Sequence, residues 1–240
     1  MMLRFCILIL ATASYVSKGS PSSGTPSIRI MFDLSPEGII DANTFVDNVF
    51  KDNLPQLVRG SPRLYPYATI GDFIFTVPKN RITNRDLTVN MTHGEIRGLD
   101  TALQRKGDCQ APFLNNGRTV VPCTLAIQGL KITFISLVNG DSLVARWKTI
   151  LVNVDVTDSN VHFEGITPLG PGIGILRAFH VEDITLDVTY DSNLSLNKGR
   201  REKFKEEISA KVKKELRRIF FEYKSLLPRA VEMYRNPTPY

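Results

Sequence analysis

Between Phe204 and Leu227 the apolar residues Phe204, Ile208, Val212, Leu216, Ile219, Phe220, Tyr223, Leu226 and Leu227 recur at steps of three and four, which puts them on one side of a helix. The other side carries Lys205, Lys211, Lys213, Lys214, Arg217, Arg218 and Lys224 against Glu206, Glu207, Glu215 and Glu222, and no Pro or Gly interrupts the run before Pro228. A helix from Lys198 to Leu227 is about 45 Å long at about 1.5 Å per residue, so an equally long partner must cover its apolar stripe. A second helix is predicted from Ser35-Pro36-Glu37, where an N-cap residue, a first-turn proline and an acid follow one another. Ile39, Ala42, Phe45, Val46, Val49, Phe50 and Leu57 continue its period; Pro55 kinks or ends it, and Gly60-Ser61-Pro62 stops it.

From Tyr67 the period changes to two. A short aromatic strand is expected over Ile70–Val77, and Asp86–Glu95 alternates Leu87, Val89 and Met91 with Thr88, Asn90 and Thr92, the mark of one buried and one wet face. Arg118–Val138 is too long for one straight strand, so Gly129 is expected to bend or bulge it. Asn139-Gly140-Asp141 predicts a hairpin, returning through Leu143–Val156 with Ile150, Val152 and Val154 on one face and Trp147, Thr149 and Leu151 on the other. Asp158-Ser159-Asn160 reads as a turn, Val161–Ile166 as a strand, Gly165–Gly174 as a loop, and Ile175–Thr189 as the last strand before the long helix. The order is helix, antiparallel meander, helix: an α+β domain, with a strand of about 13 residues reaching about 43 Å, the length the helix needs.

Composition adds a compartment. Met1–Arg4 followed by the apolar run Phe5–Val16 reads as a secretory signal peptide ending after Ala13 or Gly19, and the run is too short for a permanent membrane anchor. The expected division is a signal peptide over 1–19, a flexible leader over 20–34, a single domain over 35–230 and a short tail over 231–240. The net charge of +6 falls to +4 on loss of Arg4 and Lys18, and no basic run is interleaved with aromatics, so nucleic acid is not an expected partner. Cys6 leaves with the signal peptide, and the remaining pair, Cys109 and Cys123, is expected to form a disulfide in an oxidising compartment. Asn90-Met91-Thr92 and Asn193-Leu194-Ser195 are candidate glycosylation sequons; Asn236-Pro237-Thr238 is excluded by its proline.

Catalytic chemistry is not legible. His93, His162 and His180 lack any ligand spacing, no G-x-S-x-G elbow occurs, and Gly170-Pro171-Gly172-Ile173-Gly174 has Ile175 where a dinucleotide site needs its third glycine. Neither a cofactor nor a metal site is expected, and the chain reads as a binding protein rather than an enzyme. Its apolar faces imply helices cradled in a curved sheet, either fully packed or enclosing a greasy tunnel.

Arg85–Leu130 adds a resemblance. Gly94-Glu95-Ile96-Arg97-Gly98-Leu99, then Gln104-Arg105-Lys106-Gly107-Asp108 and an Asn115-Asn116-Gly117 turn into Val120-Val121, resembles the group-seven house-dust-mite allergens and their arthropod relatives. These belong to the tubular lipid-binding superfamily, with the bactericidal/permeability-increasing and juvenile-hormone-binding or takeout proteins. The likeness extends loosely over 35–225 and includes Ser61-Pro62, Gly71-Asp72-Phe73 and Lys213-Lys214-Glu215-Leu216. It implies a half-pipe of strongly curved antiparallel sheet wrapped around the long C-terminal helix, an apolar groove and no catalysis. The Cys109/Cys123 pair departs from the takeout-like and bactericidal patterns, and the chain has one unit where the bactericidal protein has two.

The expected function is therefore that of a secreted carrier or scavenger of a lipid, fatty acid, terpenoid or lipopeptide. Its groove would be lined by Phe45, Val49, Phe50, Phe73, Phe75, Ile132, Phe134, Trp147, Phe204, Ile208, Val212, Leu216 and Phe220. Two alternatives stand beside it: a membrane-surface or bacterial-lipid binder using the basic face of the last helix, and a ligand-free secreted interaction protein of the allergen or immune-modulator kind.

Overall fold

The computed structural model describes residues 31–32, 36–81, 85–144, 146–167 and 173–234. The signal peptide, most of the leader and the centre of the Gly165–Gly174 loop lie outside these residues. Helix α1 (Pro36–Asp47) runs into a π-helical stretch, Asn48–Asn53, and then α2 (Leu54–Arg59). Pro55 thus does not end the helix. Its missing N–H and its ring preclude a regular α-turn at that point, and the widened turn, in which the Leu54 N–H bonds the Val49 carbonyl, absorbs the misfit.

Among the described residues ten strands form one antiparallel sheet: β1 (Met31–Phe32), β2 (Tyr67–Ile70), β3 (Phe73–Val77), β4 (Leu87–Arg97), β5 (Leu103–Arg105), β6 (Phe113–Asn115), β7 (Arg118–Ile127), β8 (Lys131–Asn139), β9 (Lys148–Thr167) and β10 (Ile175–Tyr190). Met31 and Phe32, expected in the flexible leader, pair with Leu114 and Phe113. The single strand expected over 70–77 is two, because Gly71-Asp72 separates β2 from β3; both pair with β4, on either side of a bulge at His93, whose φ is 52°. The run expected to bend or bulge at Gly129 is divided there into two strands, β7 and β8. With β10 on one edge of β9, β7 pairs with Val161–Thr167 and β8 with Lys148–Val154 on the other, so the two follow one another along that edge.

Asp158-Ser159-Asn160 does not turn. It is a bulged segment inside the 20-residue β9, opposite the break between β7 and β8. The buried Ser159 Oγ accepts the Ile127 N–H at 2.7 Å, and Lys106 Nζ donates to Asp158 and Asn160 at 2.9 Å, so the polar triplet satisfies the groups freed where the ladder is interrupted. The hairpin after β8 is a longer loop than Asn139-Gly140-Asp141 predicts, since β9 starts only at Lys148.

Helix α3 (Lys198–Glu232) is capped by Asn197, whose side chain accepts the Arg200 N–H. It passes through Pro228 and ends five residues beyond Leu227, so it claims part of the expected tail. Burial of Ala230 and Val231, with a hydrogen bond from the buried Asn53 amide to the Ala230 carbonyl, holds the added turn against the proline's missing donor. The Phe204 ring lies 5.8 Å from Phe75 of β3 and 5.0 Å from Tyr190 of β10. Those strands are four positions apart in the sheet, about 19 Å if it were flat, so the sheet curls until both edges meet the same helix. This is the half-pipe.

The Ile96–Leu99 segment joins sheet to helix. Ile96 and Leu99 are buried, and the Leu99 carbonyl accepts the hydroxyl of the buried Tyr223 of α3. Gly98 turns the chain with φ 82°, and a Cβ there would stand 2.7 Å from the Gly129 carbonyl oxygen. Gly98→Ala is expected to lower stability by about 2 kcal/mol through the left-handed backbone and the displaced carbonyl. A denaturant midpoint equal to that of the parent protein would refute this.

Candidate functional site

The concave side of the sheet and the inward faces of α1 and α3 enclose one continuous apolar interior. Phe45, Val49, Phe50, Ile132, Phe134, Phe204, Ile208, Val212, Leu216 and Phe220 are buried in it, and Phe73 and Phe75 pack against it half-buried. Trp147 does not join them. It stands 60% exposed before β9, on the parity of Thr149 and Leu151, which face outward, whereas Ile150 and Val152 face in. Two aromatic groups mark the ends of the interior: Phe73, Phe75, Phe134, Phe204 and Tyr190 at one, and Phe45, Phe50, Phe163 and Tyr234 at the other.

At the seam between β3 and α3 the interior is bordered by the half-buried Phe73 and Phe75. Lys211 Nζ lies 5.6 Å from the centre of the half-buried Phe73 ring and 3.3 Å from Glu215. Burial pushes the Glu215 carboxyl up, but hydrogen bonds from Arg218 and Lys211 outweigh it and hold the group below the ordinary carboxylate range. The opposite seam is latched by Lys205 Nζ on Asp187 of β10 at 3.0 Å.

One polar atom stands out within the interior. Ser136 of β8 is fully buried, and its Oγ makes no hydrogen bond within the protein. Its cross-strand neighbours are Met91 and Ile150, and Met91 in turn pairs with Phe73. The row from the seam inward thus reads Phe73, Met91, Ser136, Ile150, which puts the hydroxyl two strands, about 10 Å, from the seam. A buried hydroxyl without a partner costs about 1–3 kcal/mol, a cost that a polar group placed beside it removes. Ser136 is absent from the residues expected from sequence, although the inward parity of Ile132, Phe134 and Val138 includes it.

The segment that carries the family resemblance clamps the frame around this interior. Arg105 holds Asp47 of α1 through two hydrogen bonds of 3.1 and 3.2 Å, Asn43 Nδ2 donates to Asp108, and the Cys109 N–H donates to Asn43 Oδ1. Cys109 and Cys123 are disulfide-bonded, which ties this loop to β7. At Gly94, a Cβ would meet the Phe134 ring at 2.6 Å, so the missing side chain makes room for that ring.

The remaining expected positions lie outside the interior. Asn193 is exposed in the turn before α3, and Asn90 is on the outer face of β4 between Ile74 and Leu137. His162 and His180 face each other across β9 and β10 at 5.1 Å, each beside a glutamate, Glu164 and Glu182 respectively. Among the described residues no group of histidine, cysteine and acidic side chains could hold a metal ion. An open cleft of about 650 Å³ lies between the Pro62–Thr69 segment and α3, with Arg63, Tyr67, Thr69, Arg218 and Glu222 on its walls and the core residues Ala68 and Ile219 also lining it.

No family model matches the chain. Over 201 residues it is 41% identical to the salivary anticoagulant protein P23 of Ixodes scapularis, an alignment covering 83% of this chain and 90% of that protein. Among solved structures, takeout 1 of Epiphyas postvittana matches at 12% identity over 78% of this chain and 84% of its own, with a TM-score of 0.29.

Proposed function

The chain belongs to the family of the salivary anticoagulant protein P23, and from that membership and its apolar interior we propose a secreted, non-enzymatic protein that carries or sequesters a hydrophobic ligand. The observation that carries the reading is the Ser136 hydroxyl, unpartnered in an apolar interior, two strands in from a half-buried aromatic seam. A ligand that parts α3 from β3 crosses Phe73 and Met91 and places a polar group at Ser136. Removal of its apolar area from water supplies the affinity, at about 25 cal/mol per Å², and the hydroxyl supplies orientation. The salivary origin in the relative's name supports secretion, and its anticoagulant designation makes plasma the fluid in which to look for an effect.

Lipids extracted from the protein purified from secreting cells should contain a stoichiometric hydrophobic species, and an environment-sensitive fatty-acid probe should be taken up. Neither being observed would sink the carrier reading. Ser136→Ala separates binding from folding: it should raise the unfolding midpoint, because a buried unpaired hydroxyl is removed, while weakening the extracted ligand about tenfold. Unchanged affinity in that variant would take Ser136 out of the site. Added to recalcified plasma, the protein should lengthen the clotting time.

A further inference from the structure

The cations of α3 are unevenly neutralised. Lys203, Lys205, Lys211 and Arg218 each meet a carboxylate within 3.3 Å. Lys213, Lys214, Arg217 and Lys224 meet none among the described residues. Between Lys213 and Lys224 five cations face two carboxylates, Glu215 and Glu222, and both of those are engaged by Arg218. Four unpaired cations thus share this stretch, beside Arg200, Arg201 and Arg229 elsewhere in the helix.

Towards the C-terminal end of this stretch stands Phe221, 75% exposed and off the buried stripe. Arg217 and Arg218 lie four and three residues before it and Lys224 three after, so all three flank its ring on the helix surface. Beside it, a cleft of about 250 Å³ opens between α3 and β10, walled by Phe179, Val181, Phe220 and Phe221 with Arg217, Lys224 and His180 at its rim. Glu182, the nearby carboxylate on β10, is turned to His180. An apolar slot under a projecting phenyl ring, with the unpaired Arg217 and Lys224 at its rim, is complementary to an anionic amphiphile: acyl chain below, phosphate or carboxylate above.

We infer that this face of α3 docks on an anionic lipid bilayer, with Phe221 inserted among the acyl chains and Arg217 and Lys224 on the headgroups. A sulfated polysaccharide would also meet the cations but would leave Phe221 and the apolar cleft without a role. The contact is peripheral, because no helix among the described residues is long and apolar enough to cross a membrane. Its exposed residues Phe221, Arg217 and Lys224 lie outside the interior, whose seam with β3 is on the other flank of α3; Phe179 and Phe220 are shared with it.

Flotation of the full-length secreted protein with phosphatidylcholine vesicles, with and without phosphatidylserine, tests the inference. Binding is expected only to the anionic vesicles, and it should weaken as salt rises. Arg217→Gln with Lys224→Gln should reduce it about thirtyfold, and Phe221→Ala at least tenfold, with fatty-acid-probe uptake and unfolding midpoint unchanged in each. No binding to anionic vesicles, or binding insensitive to Phe221→Ala, would overturn the proposal, and so would retention on a heparin column without binding to vesicles. Because probe uptake reads the interior and flotation reads the helix face, either reading can fail alone.

Discussion

Leu216→Asp is expected to leave the protein without a stable folded state. Leu216 is fully buried at the middle of α3, between Val212 and Ile219, and the interior around it holds no cation placed to pair with a carboxylate. The lost leucine packing costs about 2–5 kcal/mol, and burying a carboxylate, or forcing it to stay protonated, costs several more. Together these approach or exceed the 5–15 kcal/mol by which a domain is usually stable. Ile208→Asp, about two turns nearer the Phe204 end, should behave alike, whereas Lys213→Ala should stay within about 0.5 kcal/mol of the parent. Secretion yield and the denaturant midpoint report the outcome. A folded Leu216→Asp protein with an unchanged midpoint would mean that the sheet does not depend on this helix.

The second-largest effect is expected from the Cys109–Cys123 bridge. It closes a loop with a sequence separation of 14, for which the chain-entropy account gives about 3 kcal/mol. Cys109 also anchors α1 through its N–H on Asn43, next to the Arg105–Asp47 pair, so release of the bridge loosens the helix that closes one end of the interior. For a domain of this size the Cys109→Ser/Cys123→Ser protein should melt about 6–12 °C below the parent by calorimetry. An unchanged melting temperature would show that the Asn43 and Arg105 bonds hold the loop unaided.

Periodicity located both helices and the strand faces because burial on one side leaves a record in every residue: α3 hides Phe204, Ile208, Val212 and Leu216 where the spacing puts them, and β9 hides Ile150, Val152 and Val154. Features set by partners distant in sequence left no such record. Asp158-Ser159-Asn160 has the composition of a turn, yet it fills the gap where β7 hands over to β8, a need visible only once those strands share an edge of β9. Pro228 reads as a stop because the Asn53 amide on its far side comes from another helix. Of the candidate site, Ser136 was within reach of strand parity, while Phe221 differs from its neighbour Phe220 only by the angle at which it leaves the helix.

The order of elements bears on how the chain can be made. All ten strands among the described residues precede α3, so the residues of the concave apolar face are synthesised before the helix that covers it. At about 5–20 residues per second, the 35 residues of α3 take roughly two to seven seconds to synthesise. For that interval the greasy lining of the sheet lacks the helix that covers it. The nascent protein is thus a client for holding chaperones, and the yield of any variant reflects how well that uncovered intermediate survives as well as how stable the finished fold is.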